Sequence, residues 1–510
     1  MEKGLVAVLE IGSTGIRLLI ASMEGSGMWK VLDRAEKPVA LGRDVFRSGE
    51  LSRESLLECL SVLKTHKELL SGWGIAAPEV HAIATSALRV ARNRDMFIDR
   101  IRQETGFNPS VVDGIEENRL MYLGVRFALK QDLPLFWRAN SMIIEIGGGS
   151  TEIMLLRRGR MVAAHSVKLG TVSLGERIRQ RAGPDQFSER HLSDAIRDTT
   201  GLLNAEIDLA FIRTLVAAGS DARLASIKAG SELNEHCRLI SRDDFFAFAE
   251  KVRNYSLEDC VRKLGLPYSE AESFIPGILL LKLFLEQTGA AQVVVPFMSI
   301  REGYLVDQAL GIDFEQQKEF YSQIIASAIT LGRKYHYEEA HSRHVANLSM
   351  VLFDALANEH GMNHRERMLL EVAAILHDIG SFIKSSAHNK HGQYIVANSE
   401  IFGIPSNDKD IIANVIRYHR GPPPSEADIE YISLQREERI LVQKMASILR
   451  VADALDRGHS QQIKNLSVDH RADTVILRTQ GVYDISLELI SMEDKANLFQ
   501  DVFGYKIVLN

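Results

Sequence analysis

The residues best equipped for chemistry form a short run, Glu145-Ile146-Gly147-Gly148-Gly149-Ser150-Thr151-Glu152, set between apolar stretches. Successive glycines leave no Cβ over the turn, so backbone N–H groups can close on an anion. Ser150 and Thr151 add hydroxyl donors. Glu145 and Glu152 flank the turn and offer carboxylate oxygens to a divalent cation bridging phosphates. The same arrangement stands near the N-terminus as Glu10-Ile11-Gly12-Ser13-Thr14-Gly15-Ile16-Arg17. Two copies with acid, glycine and hydroxyl in register predict a duplicated domain, each copy presenting a phosphate-binding turn to a shared cleft. Gly12, Ser13, Thr14 and Arg17 are the phosphate-binding candidates on one side. Gly147, Gly148, Gly149, Ser150 and Thr151 are those on the other.

Further along, Arg89 follows Thr85 and Ser86 closely enough to clamp a phosphate beside their hydroxyls, whereas Arg92 and Arg94 read as a solvated helix face. Glu116 and Glu117 fall in the first turn of a predicted helix, where acids complement the helix dipole and are ordinarily surface groups. Gly219-Ser220-Asp221 opens a helix after a strand, either as a phosphate contact or as a plain turn. From Phe314 on, glycine becomes sparse, helical periods dominate, and eleven of the sixteen histidines lie there. His341, His377, Asp378, His388, His391, His419 and Asp453 stand on successive helical stretches, and turned into one bundle they form a metal cage.

These groups need scaffolds. Aliphatic and β-branched runs on either side of each glycine turn predict strand–turn–strand hairpins. Leu51 to Leu70 has helical spacing, with Leu56, Leu57, Leu60, Leu63 and Leu70 on one side. Glu79 to Arg89 reads as strand, loop and helix, and the strand from Val111 ends at Gly114, before the Glu116-Glu117 helix. Leu369 to Leu376 is an apolar helix ending in His377-Asp378, with Gly380 as its cap. The tail from Leu466 returns to strand-like alternation. The domains therefore read as 1–133, 134–313, 314–465 and 466–510, with the first crossing at Leu133 to Trp137, and the length implies roughly three to four domains. The first two are α/β, the third is all-α, and the tail is a small α+β appendage.

The 510-residue chain carries a net charge of −7 with 45% hydrophobic and 25% charged residues. That balance argues against general binding to DNA or anionic membranes, so a polyanionic substrate must be met by local cations. Three scattered cysteines, Cys59, Cys237 and Cys260, make neither a disulfide framework nor a zinc pattern, which fits a reducing cytoplasm. No signal peptide is read at the N-terminus, and the most apolar stretch, Ile278 to Leu285, is broken by Lys282 and too short to span a bilayer.

Together with Ala84-Thr85-Ser86-Ala87-Leu88-Arg89 and Gly114-Ile115-Glu116-Glu117, the two turns occur in a shared family order. From about Val6 to Leu305, and on into the helical region, the chain resembles the exopolyphosphatase / guanosine pentaphosphate phosphohydrolase (Ppx/GppA) family. The resemblance implies two duplicated actin-like, sugar-kinase-like (ribonuclease H-like) domains. It implies Glu117 as catalytic base with Arg89 and Glu152 beside it, and Mg²⁺ or Mn²⁺ in the interdomain cleft on Glu10, Glu145 and Glu152. The C-terminal set resembles the His-Asp (HD) phosphohydrolase domain. That implies His341, His377, Asp378 and Asp453 as ligands of a transition metal or Mg²⁺, with His391 and His419 completing a two-metal version.

The implied activity is exopolyphosphatase, releasing terminal phosphate from inorganic polyphosphate. The same site serves guanosine pentaphosphate (pppGpp) at its 5′ phosphate. A phosphate-ligand-binding protein with a weakened site and an HD-domain nucleotide phosphohydrolase are the other readings. A homodimer is implied by the resemblance alone. This chain has glutamate at Glu10 and Glu145 where the family has aspartate, and Ser13-Thr14-Gly15 where it has Ser-Asn-Ser. Each glutamate moves its carboxylate by about an ångström, which either costs positioning or is a matched pair of changes around a slightly different metal.

Overall fold

The computed structural model describes residues 4–23, 29–129, 134–182, 189–310, 314–471, 473–479 and 484–510. Leu133, placed at the first domain crossing, and residue 313, placed at the second boundary, lie outside that set. The described chain forms two compact units, Met1–Phe320 and Tyr321–Asn510.

The first unit holds two sheets. β1 (Leu5–Ile11), β2 (Gly15–Met23), β3 (Trp29–Pro38), β4 (His81–Ala84) and β5 (Ser110–Val111) build one, in the order β3-β2-β1-β4-β5. β6 (Asn140–Ile146), β7 (Thr151–Arg157), β8 (Arg160–Val167), β9 (Ile212–Ala218), β10 (Ser231–Asn234), β11 (Cys237–Ser241) and β12 (Gln292–Pro296) build the other, in the order β10-β11-β12-β9-β6-β7-β8. In both, an antiparallel three-strand meander continues into two parallel strands: β3-β2-β1-β4-β5 matches β8-β7-β6-β9-β12. The repeated glycine turns are therefore the hairpin tips of a repeated fold, β1-β2 and β6-β7. They stand in matching register, Glu10 opposite Arg17 and Glu145 opposite Glu152.

β1 is apolar on both faces because both are covered. Ala7, Leu9 and Ile11 enter a core with Leu60 and Leu63 of the Arg53–Gly72 helix, while Val8 packs with Leu19 and Leu305. Leu305 lies on the Ile300–Leu310 helix, which comes after the second sheet in sequence yet packs against β1 and the Gly114–Leu129 helix. The last helix of the 134–313 stretch thus returns to the first sheet. In the Arg53–Gly72 helix the buried face carries Ser55, Cys59, Leu60, Leu63, His66 and Leu70. Leu57 points to solvent at 57% exposure, because at about 100° per residue it falls on the side of the helix turned away from the arc of Ser55, Cys59, Leu63, His66 and Leu70.

The second unit gathers the helices Glu339–Ala355, His364–Leu376, His388–Ala397, Ser406–Tyr418 and Arg436–Ala454. It ends in a three-stranded sheet of β13 (Leu466–Arg471), β14 (Thr474–Thr479) and β15 (Lys506–Leu509) with the helices Ser486–Lys495 and Asn497–Phe503. Gly380 is not a left-handed helix cap. It lies in a short 3-10 turn, Ile379–Phe382, with no positive φ, and its missing Cβ makes room for the His388 carbonyl.

Candidate functional site

A cavity of about 410 Å³ opens between the two sheets of the first unit. Gly12, Ser13, Thr14 and Arg17 line it from one hairpin, and Gly147, Gly148 and Ser150 from the other. Each turn closes on itself in the same way: Gly12 N–H donates to Gly15 O and Gly147 N–H to Ser150 O, both at 2.9 Å. Among the described residues no acceptor lies on the N–H groups of Ser13, Thr14, Gly148 or Gly149, so these donors are left for a ligand. The turns also touch across the gap. A Cβ on Gly149 would stand 2.6 Å from Ser86 Oγ, and Ser86 Oγ in turn lies 2.9 Å from Ser13 Oγ. The carbonyls of the second turn are held from behind by the Thr171–Ala182 helix, whose Thr171 and Val172 N–H groups donate to Gly147 and Gly148.

Glu117 enters from the first turn of the Gly114–Leu129 helix. The helix is buried on nearly every side, so its early carboxylate faces the cleft rather than solvent. Asp113 caps it, Oδ1 accepting from Glu116 N–H at 2.8 Å. Gly114 is required here because a side chain would run into Ser166 of β8. Arg89 Nη1 donates to Glu117 Oε1 at 3.0 Å and to Val112 O at 2.9 Å. Glu152 Oε1 accepts from Ser150 Oγ at 2.8 Å and Ser166 Oγ at 2.9 Å, and Asn118 Nδ2 reaches Oε2 at 3.3 Å. Glu117 and Glu152 both line the cavity, and each shifts the ionisation of the other.

Burial raises both above the ordinary carboxylate range; Arg89 holds Glu117 back, whereas the Glu117 charge drives Glu152 further up. Arg89, hydrogen-bonded to Glu117, favours the ionised form of that carboxyl, the form a general base needs. Burial, followed by the Glu10 and Glu117 charges, pushes Glu145 up to about 7. Asp221, at the start of the Ser220–Ala229 helix, is pushed up to about 8 by burial and by Glu270. Glu10, Glu36, Glu117, Glu145, Glu152, Asp221 and Glu270 line the cavity, against Arg17, Arg223 and Arg301. Glu145 and Glu152, opposite one another on paired strands and both lining the cavity, could offer carboxylate oxygens to a divalent cation.

Glu10 does not fit one. Its Oε1 faces Arg17 Nη1 at 3.6 Å and its Oε2 faces Arg301 Nε at 3.1 Å, so both oxygens are committed to guanidinium groups. Arg17 also binds Glu36 through Nε at 2.5 Å. Arg301 stands at the start of the Ile300–Leu310 helix, shortly after β12. Arg92 pairs with Glu50 at the surface and Arg94 with Asp95, away from the cavity lining.

In the second unit, His341, His377, Asp378, His419 and Asp453 converge. His388, not His391, joins them: His388 Nε2 lies 3.0 Å from Asp378 Oδ1 and 3.1 Å from His419 Nε2. His391 is three residues further along the same helix and belongs to none of the candidate groups among the described residues. His341, His377 and Asp453 make one potential set, and Asp378, His388 and His419 another. His377, His388 and His419 each have Nδ1 on a backbone carbonyl, at 2.7, 2.9 and 2.7 Å. His341 Nδ1 is 2.8 Å from Asp456 Oδ2. These Nδ1 contacts orient all four rings with Nε2 inward, the atom a metal would take. Among the described residues the Nε2 atoms of His341 and His377 are buried without a hydrogen-bond partner, the state expected of imidazoles built to hold a metal.

Residues 19–311 match the Ppx/GppA phosphatase family, and residues 325–492 match domain III of Ppx/GppA phosphatases. A guanosine-5'-triphosphate,3'-diphosphate pyrophosphatase of Pseudoalteromonas atlantica is 25% identical over 453 residues, 88% of this chain and 85% of that protein. One of Photobacterium profundum is 23% identical over 517 residues, covering 99% and 98%. The crystal structure of an exopolyphosphatase from Cytophaga hutchinsonii shares the fold with a TM-score of 0.54 at 21% identity, over 60% of this chain and 98% of that one.

Proposed function

Because the chain belongs to the Ppx/GppA phosphatase family, we propose that the cleft of its first unit hydrolyses the terminal phosphoanhydride of inorganic polyphosphate, with Glu117 as the general base. The Glu117–Glu152 pair facing both glycine turns carries this reading. The free N–H groups of the turns hold the end phosphate, and Arg89, Arg17 and Arg301 supply cations around it. Glu117 takes the proton of a water placed in line with the leaving oxygen. Glu145 and Glu152 would hold a divalent ion, Mg²⁺ or Mn²⁺, which when bound neutralises charge on the transferring phosphoryl group.

A second reading, 5′-phosphate hydrolysis of guanosine pentaphosphate, is favoured by the far end of the same cavity. There Leu224, Ile227, Leu266 and Pro267 line an apolar shelf beside Asp221 and Glu270, which suits a nucleoside and serves no purpose for a bare phosphate chain. The full-length relatives carry the corresponding name. Phosphate release from long-chain polyphosphate and from guanosine pentaphosphate separates the two. Glu117→Ala should lose both activities by at least about a hundredfold, and His377→Ala should keep them. Retained turnover in Glu117→Ala sinks the proposal.

For the second unit, the reading is an HD-type metal site on His341, His377, Asp378, His388, His419 and Asp453, supported by the two orphaned imidazole nitrogens. The composition and the free cysteines fit a cytoplasmic protein. Among the described residues no helix is long and apolar enough to cross a membrane. Homodimerisation, implied by the family, is tested by sedimentation.

A further inference from the structure

The metal cage of the second unit contains one group that metal binding does not explain. Lys495, the last residue of the Ser486–Lys495 helix, places its ammonium on Asp453 Oδ2. Asp453 turns its other oxygen, Oδ1, toward His341 Nε2 at 3.7 Å and His377 Nε2 at 3.9 Å. A lysine on a candidate metal ligand opposes metal binding through like-charge repulsion, so its placement needs another purpose. It is not a stray surface contact: the lysine side chain is only 14% exposed. The helix that delivers it packs on the Arg436–Ala454 helix, and its Glu488 accepts from Gly458 N–H at 3.2 Å. A second cation lies at the other end of the cage, where Arg420 Nη1 is 3.3 Å from His388 Nδ1.

The charges decide the ligand. Asp378, Asp453 and Asp456 are carboxylates, and Lys495 and Arg420 nearly balance them. One divalent ion turns the cage net positive, and a second makes it more so. Such a site takes an anion on its open coordination positions, and the ammonium beside Asp453 stands where it can share that anion's oxygens.

We propose that Lys495, supplied by the C-terminal appendage, is the residue that anchors a phosphoryl group against the metal cage of the second unit. The inference rests on the cage holding a divalent ion. It is tested on the full chain in a Glu152→Ala background, which removes a metal ligand of the cleft, with Mn²⁺ as the ion and inorganic phosphate as the probe. Bound Mn²⁺ is counted, and phosphate binding is read from paramagnetic broadening of its ³¹P signal. Lys495→Met should keep the Mn²⁺ content and weaken phosphate about tenfold or more, and Lys495→Arg should recover most of the affinity. His377→Ala should lose the bound Mn²⁺ and the broadening together.

Unchanged phosphate affinity in Lys495→Met, or no broadening although Mn²⁺ is bound at the cage, overturns the anchor and leaves the metal reading standing. Mn²⁺ content that is indifferent to His377→Ala overturns the metal reading, and the anchor with it. Tighter Mn²⁺ binding in Lys495→Met without loss of phosphate affinity makes the lysine a competitor of the metal, which also overturns the anchor.

Discussion

The two glutamates that replace the family's aspartates do different work. Glu10 is held between Arg17 and Arg301, and Glu145 sits among carboxylates. Glu10→Gln should therefore leave the Mg²⁺ concentration for half-maximal phosphate release within about twofold, while raising the substrate KM as Arg17 and Arg301 lose the carboxylate that positions them. Glu145→Gln should raise the Mg²⁺ requirement about tenfold. Equal Mg²⁺ shifts in both variants would return Glu10 to the metal. Glu145 also sets a pH dependence. Its carboxyl is raised from 4.5 to about 7 in the fold, so the folded state binds the proton more tightly than the unfolded chain. The stabilisation is complete below the ordinary value and is lost as pH rises through about 7. Metal-free protein should thus lose Tm steadily between pH 5 and pH 7.5, roughly the span from the unfolded to the folded titration. Added Mg²⁺ should flatten that slope, because the ion replaces the proton; a slope that survives saturating Mg²⁺ would count against Glu145 as a ligand.

At the scale of the elements, the glycine turns act as paired surfaces whose spacing is set by the absence of side chains. Gly149→Ala places a methyl group 2.6 Å from Ser86 Oγ, so either the turn retracts or the cleft opens. The expected result is a loss of about a hundredfold in kcat/KM with circular dichroism unchanged, since a displacement near an ångström is enough to disturb an in-line attack. These turns were legible because hairpin tips are local: strand, glycine and strand are contiguous in sequence, and the duplication repeats them. The Gly114-Ile115-Glu116-Glu117 helix start could be located but not given a buried face from its own residues, because its burial comes from β8 and from the Ile300–Leu310 helix far along the chain. Arg301 was invisible as a partner of Glu10 for the same reason. The choice of His388 over His391 depended on where the helix begins, a register that two nearby histidines cannot fix. Lys495 carried no signal at all, being one surface-type residue in an amphipathic helix whose packing partner is tertiary.

At the scale of the whole chain, each unit has its own buried core and its own candidate ion site, the first in residues 1–320 and the second in 321–510. An ion that binds only the folded form of a unit stabilises that unit by an amount fixed by its concentration and affinity, about 2.7 kcal/mol at a hundredfold excess over Kd. Unfolding of such a chain is not a single two-state transition, and each ion should act on one part of it. Calorimetry of the metal-stripped protein should resolve two components. Mn²⁺ returned to a Glu152→Ala variant should raise one of them, and the same addition to Glu152→Ala/His377→Ala should raise neither. Mg²⁺ added to His377→Ala alone should raise the other component, together with phosphate-releasing activity. If Mn²⁺ instead shifts both components in Glu152→Ala, the cage does not own that ion, and the assignment of separate metal chemistry to the two units fails at the level of the whole molecule.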